Sequence, residues 1–443
     1  VVRARLLALV VGMNALAFAC SSSDEIIQTA PPDEEPPPDD TPDAADATTP
    51  PPPKPKKDAG VDADAGPPPP PQVYPTVESA GGKVITTPKV IPITFEGDNF
   101  KTQIEDFVPR LAGSTYWTTI TSEYGIGALT VLPAIRINEV PASLDDTQVQ
   151  LWLQDKIAND ARFGAADPNT LYSIFYPKGV GVTLAGTQSC AAFGGYHSET
   201  VAKSGIAISY SVVPHCGGGF AQFDLDLVTT AQSHETLEWA TDPLPFSAPA
   251  FSKFDDAHYI WRNVLLGELG DVCFTGGNDV DVRPTELGGY AVQRTWSNKQ
   301  SLLGKDPCVP YVAGYEPYFT GIPTLPDSVT FKEVFRDVTT PALQVGVGQT
   351  KTIDVRLYSD GPTSGDFTIR VVDLAQINPG EPAAQSPSGP AEFTLSLDKT
   401  SGHNGDIIHL TVTGVAPVKK GFGFVLISTL GQNVHVWPGL VYN

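Results

Sequence analysis

The stretch Gln232-Ser233-His234-Glu235-Thr236-Leu237-Glu238-Trp239-Ala240-Thr241-Asp242-Pro243 decides how the folded part of this chain is read. Positions i and i+4 share one face of a helix, so His234 and Glu238 stand together with Glu235 beside them. Leu227, Ala231, His234 and Glu238 step by 4, 3 and 4, which predicts a helix over 224–241 whose apolar stripe runs into ionisable groups. Pro243 sets the end of that helix. If this face packs inward, its carboxylates need a partner, because a buried charge is costly unless it is paired or on a metal. No lysine or arginine lies between Lys203 and Lys253. A divalent cation is therefore the simplest partner. The spacing is that by which zinc peptidases draw two ligands and a general base from one helix, with a glutamate here in place of the second histidine.

Downstream, Gly267-Glu268-Leu269-Gly270-Asp271-Val272-Cys273 brings two more carboxylates in a glycine-bounded turn. Four cysteines lie beyond Cys20: Cys190, Cys216, Cys273 and Cys308. An even count in an exported chain suggests two disulfides, and three pairings are open. Cys190–Cys216 with Cys273–Cys308 is preferred, since each closes a loop of modest length. A zinc site of four cysteines is disfavoured because no two form a close C-x-x-C pair.

Four landmarks carry a resemblance to a known family. They are Gly195-Tyr196-His197-Ser198, Pro214-His215-Cys216, Ser233-His234-Glu235-Thr236-Leu237-Glu238 leading into Thr241-Asp242-Pro243, and Gly267 to Cys273. Their order and approximate spacing, over about residues 83–310, resemble the plant exordium (phosphate-induced) proteins and their bacterial relatives. The resemblance implies a secreted domain of zincin-like appearance. Thermolysin-like zincins take a third ligand, a glutamate, from a separate element after the helix. By that analogy Glu268 is preferred over Asp271 as third ligand beside His234 and Glu238, with Asp271 as its rival.

The rest of the chain frames that domain. Residues 1–19 read as a signal peptide: Arg3 and Arg5, then an apolar run too short to span a bilayer. Leu16-Ala17-Phe18-Ala19-Cys20 looks like a lipobox, which implies lipid attachment to Cys20 and a membrane partner through that lipid. Residues 20–72 read as a Pro/Asp-rich tether, with 12 acidic and 3 basic residues over 21–72 and little to bury. Of the net charge of −22, the tether carries −9, and the remainder is still acidic. That argues against nucleic acid and anionic lipid as binding partners.

From 73 to 330 helix and strand signals mix, with strands expected at 83–95, 171–176 and 206–213. A helix is expected at 143–160, capped by Asp145 or Asp146 and buried along a stripe that includes Leu151 and Ile157. From 331 to 443 six or seven short strands follow without a helix. The expected fold is thus an α+β zincin-like domain followed by an all-β immunoglobulin-like sandwich. His403, His409 and His435 in the second part are expected to be surface or core residues.

Two functions fit these residues. The first is an exported, surface-tethered zinc metallopeptidase-like hydrolase, an outer-membrane or cell-surface lipoprotein acting on a peptide or wall polymer. His234, Glu238 and Glu268 or Asp271 bind Zn²⁺, and Glu235 is general base toward a metal-bound water. Asp242 is a second-shell or capping group, and Tyr259, His258, His197 or His215 polarises the carbonyl. One histidine with two carboxylates weakens Zn²⁺ as a Lewis acid and admits Ca²⁺ or Mn²⁺. The second is a non-catalytic extracellular protein that binds wall polysaccharide or another surface partner around a structural ion. Trp117, Trp152, Trp261 and Trp296 are then candidates for sugar stacking, with core packing as their commoner role.

Overall fold

The computed structural model describes residues 74–443 apart from 140–142, 218–220, 266, 274–280, 312–313, 334–335, 378–388 and 419–421. The expected signal peptide, Cys20 and the expected tether lie outside the described residues.

The site rests on a mixed sheet. Lys89–Phe95 (β1) and Thr170–Tyr176 (β2) run parallel, as do β2 and Ala207–Pro214 (β4). Tyr196–Val201 (β3) closes one edge, antiparallel to β4. Strands β1, β2 and β4 are buried almost throughout, which explains why Val90, Ile91, Ile93 and Phe95 run without polar alternation. Lys101–Ala112 (α1) packs on β1. Asp146–Asn159 (α2) opens with a reciprocal cap, in which Asp145 and Gln148 satisfy each other's backbone. Its inner face uses Val149 and Leu153, and Leu151 is 59% exposed, so the expected stripe is rotated away from Leu151.

Ala221–Thr241 (α3) lies across β3 and β4. It is not an amphipathic stripe: every residue from Val228 through Thr241 is buried, whereas Leu227 is 36% exposed. Small hydroxyl side chains let helix and sheet approach. Ser173 donates to Gln232 (2.6 Å) and Ser211 to Ser173 (2.9 Å), while Ser209 donates to the Pro243 carbonyl (2.7 Å).

The C-terminal strands form two sheets. One joins Phe319–Pro323 (β5), Thr350–Ser359 (β8), Ile407–Gly414 (β11) and Phe393–Leu397 (β10). The other runs Asp327–Lys332 (β6), Asp337–Gln344 (β7), Asn433–Tyr442 (β13), Gly423–Leu430 (β12), Phe367–Asp373 (β9) and Ser401–Gly402. Strands β5 and β6 begin before residue 331, and β7 pairs with β13 in parallel. An apolar core runs on from the first region into these sheets through Tyr74, Trp261, Trp296, Tyr318 and Trp437. The Trp261 and Trp437 rings sit 5.1 Å apart edge to face.

These observations correct the expected fold class. The described residues are predominantly β, with 38% strand against 24% helix and several sheets, and do not form an α+β zincin-like domain leading into an immunoglobulin-like sandwich. The reason lies largely in the stretch after α3. Its short Gly- and Pro-punctuated runs form 3₁₀ turns and two-residue strands, and among the described residues add no long helix to the first region. Trp117, Trp261 and Trp296 are at most 1% exposed, so these three pack the core and offer no face to a sugar. His435 is buried against Tyr318 and Phe319, while His403 and His409 are exposed. No described helix is long and apolar enough to cross a membrane.

Candidate metal centre

Four segments converge on the end of α3. The helix supplies His234, Glu235 and Glu238, and Asp242 follows directly after it. The 267–273 turn supplies Glu268 and Asp271, β3 supplies His197, and Val292–Gln293 supplies Gln293. Two disulfides, Cys190–Cys216 and Cys273–Cys308, form in the expected pairing. The second anchors the turn, and Trp296 N–H donates to the Leu269 carbonyl (3.0 Å). Disulfides of this kind belong to chains of an oxidising, extracytoplasmic compartment.

The turn can approach the helix because residue 270 is glycine. A Cβ there would stand 2.6 Å from His234 Nδ1 and 2.7 Å from Glu238 Oε1. Its N–H instead donates to Glu238 Oε1 (3.1 Å). Gly195 allows an equally close approach to Glu235, where a Cβ would lie 2.8 Å from Oε1.

The His234 ring is fixed by a residue the sequence reading missed. Gln293 Nε2 donates to the Gly270 carbonyl (2.6 Å), which turns its Oε1 toward His234 Nδ1 (3.0 Å). That oxygen accepts Nδ1–H, so the Nε2 lone pair of the neutral ring faces the carboxylates, as in the ligand–support pairs of metal sites. Nε2 is 3.0 Å from Glu238 Oε2 and 3.8 Å from Asp271 Oδ1, and it makes no hydrogen bond. His197 is held similarly. Its Nε2 faces the Asp242 carbonyl (3.2 Å), and Nδ1 lies 3.5 Å from Glu235 Oε2 and 3.8 Å from Glu238 Oε2 without hydrogen-bonding either.

The cluster is buried and acidic. His197, His234, Glu235, Glu238, Asp242, Glu268 and Asp271 are all at most 6% exposed. Buried atoms without a hydrogen-bond partner include both Glu235 oxygens, Glu238 Oε2, Asp242 Oδ2, Glu268 Oε2 and Asp271 Oδ2. Among the described residues its ion pairs involve only the two histidines, with no lysine or arginine. Burial, then Asp271 and Glu235, pushes Glu238 well above the carboxylate range, and burial with Glu238 does the same to Glu268. Burial raises Asp242, and it lifts Asp271 to about 7. Burial alone would lower the His197 ring, but Glu268 and Glu235 outweigh it and hold it at about 9.

A set of orphaned buried carboxylate and imidazole atoms is what a divalent cation satisfies. Donor atoms within 4.8 Å of one another occur in two groups: His234, Glu238 and Asp271, and His197, Glu238 and Glu268. Asp271 thus joins the His234 group, and Glu268 lies by His197, its Oε2 3.8 Å from Nε2. Asp242 takes a structural place: its Oδ1 accepts Ala250 N–H (2.7 Å) and its carbonyl receives His197.

Of the four carbonyl-polarising candidates, only His197 reaches the centre. His258 bonds Asp255 (2.8 Å), and Tyr259 donates to Glu333 (2.5 Å) and stacks on Phe331. His215 lies over Phe100, 3.5 Å from Asp98. His197 stood in one of the four sequence landmarks, but nothing in sequence singled out Gln293.

No family model matches this chain, and no curated protein matches it. Among solved structures it is similar to domains 4 and 5 of the S-layer protein SbsC, at 18% identity over 30% of this chain and 81% of that one, with a TM-score of 0.15. It is also similar to the longer rSbsC(31-844), at 14% identity over 34% of this chain and 22% of that one, with the same TM-score. A likeness at that score carries no argument about fold or function.

Proposed function

We propose that this chain is an exported, metal-dependent hydrolase of the metallopeptidase type, with a divalent cation held by His234, Glu238 and Asp271. One observation carries the reading. The His234 Nε2 lone pair, set by Gln293, faces two buried carboxylates that have unpartnered oxygens. Two lone-pair donors 3.0 Å apart in a buried interior repel unless a proton or a cation lies between them, and a cation also satisfies the Asp271 oxygen beside them.

A cation bound there supplies Lewis acidity toward a carbonyl and makes water a better acid. The chain's own residues do the rest. Glu235 stands next to the ligands with both oxygens free, so it is the group that accepts a proton. Gln293 holds the His234 tautomer and Gly270 N–H holds Glu238 Oε1. With a single cation bound, His197 in its protonated form is the donor available toward a developing oxyanion. The acidic ligand set makes Zn²⁺, Mn²⁺ and Ca²⁺ all admissible. The resemblance of the four landmarks to exordium proteins supports a secreted role. The lipobox supports a lipid anchor at Cys20, which mass spectrometry of the membrane-extracted chain tests.

A second reading is favoured by burial. With Glu235 and Glu238 at 0% exposure, the ion locks α3 to the 267–273 turn in a non-catalytic surface protein. One experiment separates the two: metal content and peptide hydrolysis of the wild type beside Glu235→Gln. Metal with Glu235-dependent hydrolysis supports the enzyme. Metal without hydrolysis in the wild type supports the structural ion, and absence of metal overturns both.

A further inference from the structure

We infer that the centre holds two cations, not one, bridged by the Glu238 carboxylate. The inference rests on the metal reading above and extends it to His197 and Glu268.

Charge comes first. Five carboxylates (Glu235, Glu238, Asp242, Glu268 and Asp271) share a buried volume with two imidazoles. One divalent ion on His234, Glu238 and Asp271 uses two of them. Glu235, Asp242 and Glu268 then stay buried with unpartnered oxygens and, among the described residues, no lysine or arginine paired with them. Protonation neutralises these groups singly, but His197 Nδ1 still stands 3.5 Å from Glu235 Oε2 and 3.8 Å from Glu238 Oε2 without a hydrogen bond.

Geometry comes second. His197, Glu238 and Glu268 each offer a donor atom within 4.8 Å of the others, the same closeness that defines the His234 group. With Nε2 turned to the Asp242 carbonyl, the His197 Nδ1 lone pair is directed at the Glu235 and Glu238 carboxylates. Glu238 is the hinge of both groups. Its Oε1 is fixed by Gly270 N–H, and its Oε2 stands 3.0 Å from His234 Nε2 and 3.8 Å from His197 Nδ1. An oxygen placed between two imidazole lone pairs suits a carboxylate bridging two metals, an arrangement known from two-metal hydrolytic sites. Each position then has one imidazole and one further carboxylate within reach: His234 with Asp271, and His197 with Glu268, whose Oε2 lies 3.8 Å from the ring at Nε2.

The test is stoichiometry on the purified full-length chain. Metal-free protein is loaded with Mn²⁺, freed of excess, and its bound metal measured by mass spectrometry. The same samples are read by electron paramagnetic resonance. Two equivalents with an exchange-coupled signal are expected. His197→Gln and Glu268→Gln should each leave one equivalent with an uncoupled signal. Circular dichroism of each metal-free variant checks that it is folded, and the wild-type count stands if a variant is not. One equivalent in the wild type, kept in His197→Gln and lost in His234→Gln, overturns the pair and leaves the single site. One equivalent lost only in His197→Gln overturns the pair and the proposed His234 site together. No bound metal overturns both readings, and two equivalents unaffected by His197→Gln overturn the bridge.

Discussion

Asp373 in the C-terminal sheets and Glu238 in α3 are both withdrawn from water, at 1% and 0% exposure, yet their surroundings differ completely. Asp373 Oδ1 accepts Ala375 N–H (2.8 Å), and Oδ2 accepts those of Glu392 (2.6 Å) and Phe393 (2.8 Å). Burial pushes its carboxyl up and these donors pull it back. The backbone completes that carboxylate, so it needs nothing further. Glu238 has one backbone donor and an orphaned oxygen, among four other carboxylates in the same condition. A buried acid is thus no sign of function in itself. The sign is a buried acid whose acceptor capacity the chain leaves open.

The contrast can be broken by replacement on each side. The largest effect is expected from His234→Ala or Glu238→Ala, which should abolish metal at the His234 position and the thermal stabilisation that metal confers, read by calorimetry with and without chelator. Glu235→Gln should keep the metal and lower hydrolysis by about 10²–10⁴-fold. Gln293→Leu leaves every ligand in place but frees the His234 ring, so metal affinity should fall about 10–100-fold in a competition titration. On the other side, Asp373→Asn should cost about 1–3 kcal/mol, because an amide nitrogen cannot accept from the backbone N–H groups. That loss should be the same with and without metal.

Smallest, and most informative about sign, is the pH response of the metal-free chain. Asp271 is raised to about 7 and His197 to about 9, so the folded state holds protons more tightly than the unfolded state at both. The associated stability is full below the unfolded values, near 4 for Asp271 and 6.5 for His197. It is lost as pH rises through about 7 and then about 9. The melting temperature of metal-free protein should therefore fall from pH 5 to 9. Bound metal should remove or reverse that slope, because ligands must be deprotonated to bind.

Sequence disclosed the parts of this centre better than its frame. The i, i+4 spacing placed His234 and Glu238 together, Pro243 marked the helix end, and the glycine-bounded turn pointed to Glu268 and Asp271. Which of those two joins His234 was not legible, since a turn of seven residues can aim either side chain inward. Gln293 was invisible because its role depends on tertiary placement beside the Gly270 carbonyl. The fold class misled for a related reason. Periodicity identified the helices that became α2 and α3 and several strands, but it missed the helix Lys101–Ala112 and the strand Tyr196–Val201 and said nothing of the two-residue strands and 3₁₀ turns after α3. Nor did it foresee that α3 would be buried on every side from Val228 onward instead of along one stripe.

The account turns on whether a cation occupies the space before His234 Nε2. Crystals of the purified chain grown with zinc, measured on both sides of the zinc absorption edge, test this directly. The account predicts an anomalous peak about 2.0–2.2 Å from His234 Nε2, Glu238 Oε2 and an Asp271 oxygen. A difference map without a peak there, with His234 Nε2 instead hydrogen-bonded to a protonated Glu238, would contradict it.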